Sequence, residues 1–189
     1  MNSSTGSNYT IGIFDFPIYH RTLLNWEEKK DQLLELRSKY LRHIKVENII
    51  TDYRSTNNYS EKVYEILRKD VNSFYNEFRL ENYFIRNSWI EVAEKNMDHK
   101  IHNHGATGFS AVVYMDYNPK YHTPTHFLSP FGDFETGTSR VFVPPKIAEG
   151  SIIIFPSMLN HFTIPNDSDV PRTILSFNMS KKPEHLYSN

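Results

Sequence analysis

The spacing of hydrophobic and polar residues changes once along the chain, near residue 83. Before that point, apolar residues recur every three or four positions in two stretches, which is the period of an amphipathic helix. The first stripe contains Leu33, Leu36, Tyr40 and Ile44, and the second contains Val63, Leu67, Val71, Phe74 and Phe78. We interpret both stripes as helix faces that pack on a core.

Three further signals lie in the N-terminal part. Residues 1–10 are polar and predict a loose tail. The segment IGIFDFPIYH (11–20) has the composition of a strand, and Pro17 favours an edge position because proline donates no ladder hydrogen bond. Asn25 with Glu28 three residues later resembles a capping box, which predicts that the first helix begins there.

From residue 83 onwards the pattern is that of short β-strands. These segments are rich in β-branched and aromatic residues, and glycine, proline and asparagine separate them. The predicted strands are 88–95, 109–117, 140–145, 151–157, 160–165 and 172–180. Because the helices precede the strands instead of alternating with them, the pattern predicts a mainly β sandwich or jelly roll with helices packed outside the sheet.

Composition limits the kinds of functional site that the protein can contain. The chain has 189 residues, no cysteine and a formal net charge of −1. The lack of cysteine excludes disulfides and cysteine nucleophiles, and it leaves histidine, aspartate and glutamate as the strong metal ligands. The small net charge gives no global attraction for nucleic acids or anionic membranes. The sequence shows neither a signal-peptide pattern nor a long apolar run, so we expect a cytoplasmic protein with no membrane partner.

A cluster of histidines is the first candidate site. Three of the nine histidines lie in HKIHNH, residues 99–104. In an extended chain His102 and His104 point to the same side and can hold one ion, whereas His99 is expected to face the opposite side. A third ligand must come from a distant strand, and His161 is the candidate. Taken alone, such a histidine pair is more often a polar feature of a strand end.

A single arginine is the second candidate. Arg172 opens the apolar strand RTILSFNMS, and a buried guanidinium needs an anionic partner. Taken alone, an exposed strand end with its charged head in water explains it better. Ser176 and Asn178 share strand parity with Arg172, so all three are expected to face the same interior.

The order of these pieces resembles the iron(II)- and 2-oxoglutarate-dependent dioxygenases. The pieces are HxH, a histidine 57 residues after His104, and an arginine 11 residues further on. The likeness is greatest to a branch of 2OG-Fe(II) oxygenase-like proteins from phages and bacteria, through IFDFPIYH, Ser88–Trp89, FSAVVY and FPSMLNHFTIPNDSDVPRTILSFN. The resemblance covers roughly residues 11–180.

This resemblance implies a fold and a division of the chain. The fold is a double-stranded β-helix (jelly roll, cupin-like) core with two packing helices. We expect a single domain over 1–189. Its parts are the tail 1–10, a strand plus two helices in 11–82, the double-stranded β-helix core in 83–180 and a second tail in 181–189.

The resemblance also implies a metal and its ligands. Fe(2+) would be held by His102, His104 and His161, with O2 at an open position. In the wider superfamily a carboxylate stands where this chain has His104, so either three histidines hold the metal or a carboxylate such as Asp98 or Asp116 enters from elsewhere. Metal affinity is expected to fall below neutral pH, because imidazoles compete with protons near their ordinary pKa of about 6.5.

The implied cosubstrate is 2-oxoglutarate. Arg172 would bind its distal carboxylate, and Tyr114, Ser176 and Asn178 are further candidate cosubstrate-binding residues. The implied reaction is hydroxylation of a primary substrate with release of succinate and CO2. That substrate can be a protein side chain, a nucleobase or a small metabolite.

The segment 118–138 is the candidate substrate surface. It is rich in proline, glycine, threonine and aromatic residues, and we predict a long loop of the kind that often forms lids. Its candidate substrate-binding residues are Tyr121, His122, His126 and Phe131. The HTPTH motif is not a helical zinc pair, because Pro124 disfavours the α conformation at Thr123.

Two alternatives remain open at this point. One is a cupin-like metal enzyme with three histidines that does not use 2-oxoglutarate. The other is a non-catalytic jelly-roll module for binding or structure. Turnover of 2-oxoglutarate separates the dioxygenase from the first alternative, and bound metal separates both enzymes from the second.

Overall fold

Two helices and eleven strands form the described part of the protein. The computed structural model describes residues 16–41, 45–56 and 58–183. The helices are α1 (Trp26–Tyr40) and α2 (Ser60–Glu77). The strands are β1 (Tyr19–Thr22), β2 (Lys45–Val46), β3 (Ile49–Thr51), β4 (Tyr83–Ala93), β5 (His99–His102), β6 (Phe109–Asp116), β7 (His126–Gly132), β8 (Ser139–Phe142), β9 (Ser151–Pro156), β10 (His161–Thr163) and β11 (Arg172–Lys181).

The strands form two antiparallel sheets. The major sheet has seven strands in the order β1-β9-β6-β11-β4-β3-β2, and the minor sheet has four in the order β5-β10-β7-β8. One apolar cluster joins the two sheets, with Phe127 of β7 against Phe155 of β9. A second cluster lies between both helices and the opposite face of the major sheet. The predicted jelly-roll core with two packing helices is confirmed.

This layering explains the apolar runs of the sequence. In SIIIFP of β9, Ile152 and Ile154 belong to the helix-side cluster, while Ile153 and Phe155 belong to the cluster between the sheets. Because both faces of the strand are covered, the usual alternation of apolar and polar residues is lost. Strand β11 is built in the same way.

The start of the first helix differs from the prediction. Asn25 adopts a left-handed backbone with φ 50° and makes no side-chain cap hydrogen bond, so the capping box is wrong. The buried carboxylate of Asp70 on α2 holds the start of α1 instead. It accepts a hydrogen bond from the Leu24 backbone N–H at 3.1 Å and pairs with Lys29 at 2.7 Å.

The predicted strand over 11–20 is shorter in the structure. It begins at Tyr19 and is an edge strand, as Pro17 suggested. Residues 11–15, the tail 1–10 and Ile44 lie outside the described residues. At the other end, β11 continues to Lys181, so the predicted tail at 181–189 starts too early. No helix in the described ranges is long and apolar enough to cross a membrane.

Two hairpins were not predicted from the sequence. Strands β2 and β3 pair through a two-residue turn at Glu47 and Asn48 and extend the major sheet beyond β4. The predicted long loop 118–138 is also wrong, since its middle third forms β7, which pairs with β10 and β8. The loop-like composition of this segment arises because most of β7 and all of β8 are half-buried or exposed.

Candidate metal centre

Three histidines converge at one end of the minor sheet. His102 ends β5 and is the direct register partner of His161, which begins β10. His104 lies two residues beyond β5, where its backbone N–H donates to the Ser157 carbonyl at 2.9 Å. The potential ligand atoms of the three side chains all lie within 4.8 Å of one another. Bonds of 2.0–2.1 Å to one ion require nitrogens about 3 Å apart, so the side chains would have to adjust when an ion binds.

Backbone carbonyls orient two of these rings. The Nδ1 of His102 lies 2.7 Å from the Lys100 carbonyl, and the Nδ1 of His161 lies 2.8 Å from the Leu159 carbonyl. Because a carbonyl only accepts, each Nδ1 carries the hydrogen and donates it. The Nε2 of each ring is therefore the nitrogen left for a metal, in the usual arrangement of a ligating histidine.

The electrostatics favour uncharged rings. Burial, together with the neighbouring histidines, lowers the pKa of His161 to about 3 and that of His104 to about 4. Burial and the nearby His99 also lower the pKa of His102. Neutral imidazole is the form that binds metal, so these rings do not have to lose a proton at neutral pH.

His99 lies beside His102, contrary to the prediction that it faces away. Between the pairs His161–His102 and Thr163–His99, β10 advances two residues while β5 advances three. This is a β-bulge in β5, and the extra residue returns His99 to the side of His102. The two rings stack with centroids 4.0 Å apart.

Glu91 is a buried acidic residue that the sequence reasoning missed. It lies on β4 with 3% of its surface exposed. Its Oε2 is 3.2 Å from His99 Nδ1, and its Oε1 accepts a hydrogen bond from Trp89 Nε1 at 2.6 Å. Burial alone would raise the pKa of Glu91, but His99 and these hydrogen bonds bring it to about 2. For His99, burial lowers the pKa and the Glu91 carboxylate more than offsets it, so the net shift of the His99 pKa is upward.

The carboxylates proposed as replacement ligands lie elsewhere. Asp98 accepts from Asn48 and pairs with Lys100, each at 2.6 Å. Asp116 pairs with Arg37 of α1 at 2.6 Å, on the helix side of the major sheet. Within the described ranges, the group that can hold an ion contains His102, His104 and His161 and neither aspartate.

Arg172 is buried, with 3% of its surface exposed. Its Nη1 donates to the Thr123 carbonyl at 2.8 Å, and its Nε–H is buried without a partner. Burial lowers the pKa of Arg172, while Tyr114 and Glu91 act in the opposite direction. The barrel interior therefore contains a cation whose hydrogen-bonding capacity is only partly used.

The predicted neighbours of Arg172 separate into two groups. The Tyr114 hydroxyl donates to Thr125 Oγ1 at 3.1 Å, and Ser176 faces the histidines. Asn178 instead accepts from Ser110 at 2.8 Å and donates to Asn87 at 3.2 Å. A strand rises about 3.3 Å per residue, so Asn178 is about 20 Å along β11 from Arg172. One 2-oxoglutarate cannot contact both, and the geometry does not support the prediction for Asn178.

Two spaces adjoin the three histidines. The interior space, bounded by Thr125, Ile174 and Ser176 in addition to the histidines, has a volume of about 20 Å³. The outer cavity has a volume of about 410 Å³ and lies between the β2–β3 hairpin and β5. Its walls include Tyr53 and Trp89, whose rings meet edge to face with centroids 4.9 Å apart.

The predicted substrate-binding residues do not border this outer cavity. The Nδ1 of His122 accepts from the Asn118 backbone N–H at 3.1 Å, and its Nε2 donates to the Val170 carbonyl at 2.9 Å, so both nitrogens brace loops. His126 bonds the Pro124 carbonyl at 2.9 Å. Tyr121 and Phe131 are exposed. Their role in substrate binding stays a prediction, and the cavity beside the histidines is the better-placed alternative.

Comparison with known families agrees with this geometry. The family described as "Putative 2OG-Fe(II) oxygenase" matches residues 87–178, which include the three histidines, Glu91 and Arg172. The matched segment resembles this family. The match confirms the resemblance that the spacing of HxH, His161 and Arg172 predicted. A search of curated proteins found no match to this sequence.

Solved structures share the fold of this protein. An oxidoreductase of the 2OG-Fe(II) oxygenase family from Burkholderia pseudomallei is 18% identical with a TM-score of 0.64, over 86% of this chain and 84% of that one. The viral collagen prolyl hydroxylase of Paramecium Bursaria Chlorella virus-1, solved with 2OG, is 13% identical with a TM-score of 0.61, over 88% and 96%. The epimerase SnoN, solved with Fe3+, alpha ketoglutarate and nogalamycin RO, is 12% identical with a TM-score of 0.64, over 87% and 78%. At these identities the likeness concerns the fold.

Proposed function

We propose that this protein is an iron(II)- and 2-oxoglutarate-dependent dioxygenase that hydroxylates its primary substrate and releases succinate and CO2. The observation that carries the proposal is one arrangement inside the barrel. One buried and two half-buried histidines converge at one place, and a buried arginine with an unpaired N–H lies on the same strand and at the same parity as Ser176, which borders the histidines. The family match over residues 87–178 supports it.

The histidines fit a ferrous ion. Imidazole nitrogen is a suitable donor for iron, and a site with three protein ligands leaves positions open for other molecules. His102 and His161 already present Nε2 through their carbonyl contacts. Iron bound here would supply the activation of O2 that is coupled to oxidation of 2-oxoglutarate. The protein's contribution is to hold the rings uncharged and converging.

Arg172 fits the anionic end of the cosubstrate. A buried N–H without an acceptor costs about 1–3 kcal/mol, and a carboxylate would satisfy it with a charge-assisted bond. A guanidinium can bind a carboxylate through two parallel hydrogen bonds. Ser176 lies between the arginine and the far end of β11 and faces the histidines. A molecule that extends from the metal towards Arg172 would pass this residue.

The outer cavity is the proposed position of the primary substrate. It is the space of about 410 Å³ that reaches His102 and His104 from outside. Trp89 and Tyr53 give it aromatic walls, so a bound group would be held next to the metal and shielded from water on that side. A protein side chain, a nucleobase and a small metabolite are the candidate classes.

A metal enzyme that does not use 2-oxoglutarate is the second candidate. The observation in its favour is the interior volume of about 20 Å³, which is room for one water. For 2-oxoglutarate to reach Arg172, the side chains around this space must move apart. Binding of 2-oxoglutarate therefore decides between the two candidates.

The test is the affinity for 2-oxoglutarate with Fe(II) present and oxygen excluded. Truncation of a buried charge pair costs about 2–5 kcal/mol, so Arg172→Ala should weaken binding by about two orders of magnitude or more. Arg172→Lys keeps the charge but loses the planar fork, and it should fall between wild type and Arg172→Ala. Arg37→Ala removes an arginine that pairs with Asp116 outside the barrel, and it should leave the affinity unchanged.

Two results would contradict the proposal. If the wild type binds no 2-oxoglutarate, the second candidate takes its place. If Arg172→Ala binds 2-oxoglutarate as tightly as the wild type, the cosubstrate is held elsewhere. Co2+ affinity should be the same in all four proteins, because neither arginine is a ligand.

A further inference from the structure

The buried carboxylate of Glu91 contacts the surroundings of two candidate ligands at once. Through Oε2 it holds His99, whose ring stacks on His102 with centroids 4.0 Å and planes 24° apart. Through Oε1 it holds Trp89, whose ring packs against His104 with centroids 5.3 Å apart. One residue of β4 thus reaches both histidines of the HxH pair, each through one intervening ring.

Ordinary structural roles do not account for this carboxylate. A buried charge is costly unless it is paired and hydrogen-bonded. In the described part of the chain, no lysine or arginine lies within ion-pair distance of Glu91, and its partners are the two rings of the site. The bulge in β5 is what brings His99 within reach. Without that extra residue, Glu91 would lose one of its two contacts.

We infer that Glu91 is a positioning residue for the metal centre, which sets the orientations of His102 and His104 through His99 and Trp89. The rings of His102 and His161 each bond a backbone carbonyl through Nδ1, and the stacked His99 ring adds a second restraint on His102. His161 packs on the other side of the site, against Phe155. His104 has no such ring hydrogen bond among the described contacts, and Trp89 is the aromatic ring outside the three histidines that packs against it. The inference rests on the proposed metal site and extends it to three residues that are not ligands.

Cobalt binding by the metal-free full-length protein tests this inference. Glu91→Leu removes both hydrogen bonds, and it should weaken Co2+ affinity by about tenfold, the lower end of the range for direct partners of ligating histidines, because Glu91 acts through an intervening ring. Glu91→Gln can still accept from Trp89 and donate to His99, so it should stay within about threefold of wild type. The visible absorption spectrum of bound Co2+ should change in Glu91→Leu and be retained in Glu91→Gln, because it reports ligand geometry.

Glu47→Gln is the matched control. Glu47 borders the same outer cavity but is exposed and lies on the β2–β3 turn. It should bind Co2+ like the wild type. Thermal unfolding of each metal-free variant, measured in parallel, separates loss of stability from loss of metal affinity.

Each outcome decides the question. If the wild type binds no Co2+, the metal site and this inference are both wrong. If the wild type binds Co2+ and Glu91→Leu binds it equally well, only the positioning role is wrong. If Glu91→Gln is as weak as Glu91→Leu, the hydrogen bonds are not what matters, and the inference is again wrong. If Glu91→Leu does not fold, Trp89→Phe and His99→Phe each keep a ring while removing one bond, and each should lower the affinity.

Discussion

The two sheets differ in how far the rest of the protein buries their strands. In the major sheet, β9 and the first eight residues of β11 are buried on both faces, between the helices and the minor sheet. In the minor sheet, β8 is exposed throughout and β5 is half-buried at best. Yet two of the three candidate ligands, His102 and His161, belong to the minor sheet. The well-covered major sheet therefore supplies the frame and the buried charges, while the more exposed minor sheet supplies two of the candidate ligands.

The largest expected contrast concerns stability. Phe177 on β11 is fully buried and Phe142 on β8 is 50% exposed. Phe177→Ala should lower the free energy of unfolding by about 3–5 kcal/mol, because it leaves a cavity in the core. The same change at Phe142 should cost less than about 1 kcal/mol. Urea unfolding of both variants measures this, and equal losses would show that the two sheets are equally important to stability.

The next contrast compares two buried histidines. His161→Ala should reduce Co2+ affinity by at least about a hundredfold, since a ligand is lost. His122→Ala should leave Co2+ affinity unchanged and cost about 1–3 kcal/mol of stability, because it removes the acceptor of the Asn118 N–H and one of the donors to the Val170 carbonyl. Calorimetric titration and urea unfolding of both variants check the assignment. A His122 variant with impaired metal binding would contradict it.

A smaller effect is expected from pH. The folded pKa values of His161 and His104 lie near 3 and 4, below the ordinary 6.5. Unfolding therefore takes up protons, and the metal-free protein should lose stability as pH falls from 6.5 towards 4, by up to about 1.4 kcal/mol per pH unit for each histidine. His99, with a raised pKa, acts in the opposite direction. His161→Gln should flatten the slope measured by urea unfolding, and an unchanged slope would mean that His161 is not buried uncharged.

Burial also changes the expectation for metal binding. Ordinary imidazoles would begin to lose metal just below neutral pH, but rings with lowered pKa values compete with protons only in more acidic solution. The expected fall in Co2+ affinity is therefore displaced to more acidic pH than for ordinary imidazoles. This remains a prediction, and titrations of Co2+ at several pH values measure it directly.

The smallest effects should come from Asp98 and Asp116, the two aspartates that the sequence offers as alternative ligands. Asp98→Asn and Asp116→Asn should not change Co2+ affinity, because both side chains pair with residues outside the cluster. Each should cost less than about 1 kcal/mol of stability, the usual value for such ion pairs. A tenfold loss of Co2+ affinity in either variant would restore a carboxylate to the ligand set.

Sequence patterns predicted the features that depend on residue spacing within one helix or strand. The apolar runs of β9 and β11, the two helical stripes and the same-side relation of His102 and His104 all follow from residue spacing. The bulge that turns His99 towards His102 did not, because it is defined only by the register with β10. The weak strands β5 and β7 were missed because their exposed residues carry no clear alternation.

Glu91 shows a different limit of sequence reasoning. It stands in the strand SWIEVA, where an isolated acidic residue suggests an exposed face. Only the pairing of β4 with β11 places it inside the barrel, with Trp89 two residues away on the same face. The β2–β3 hairpin did leave a signal in KVENIIT, since β-branched residues flank a two-residue turn.

Strand β5 lies at the end of the minor sheet and, among the described strands, pairs with β10 alone. An edge strand of four residues, held on one side, exchanges its amide hydrogens through local opening at low free-energy cost. A metal bound by His102 and His161 would join β5 to β10 by a second connection. The rate of hydrogen exchange along residues 99–102 should thus report occupancy of the site, while exchange in the doubly covered β6 stays slow whether or not metal is bound.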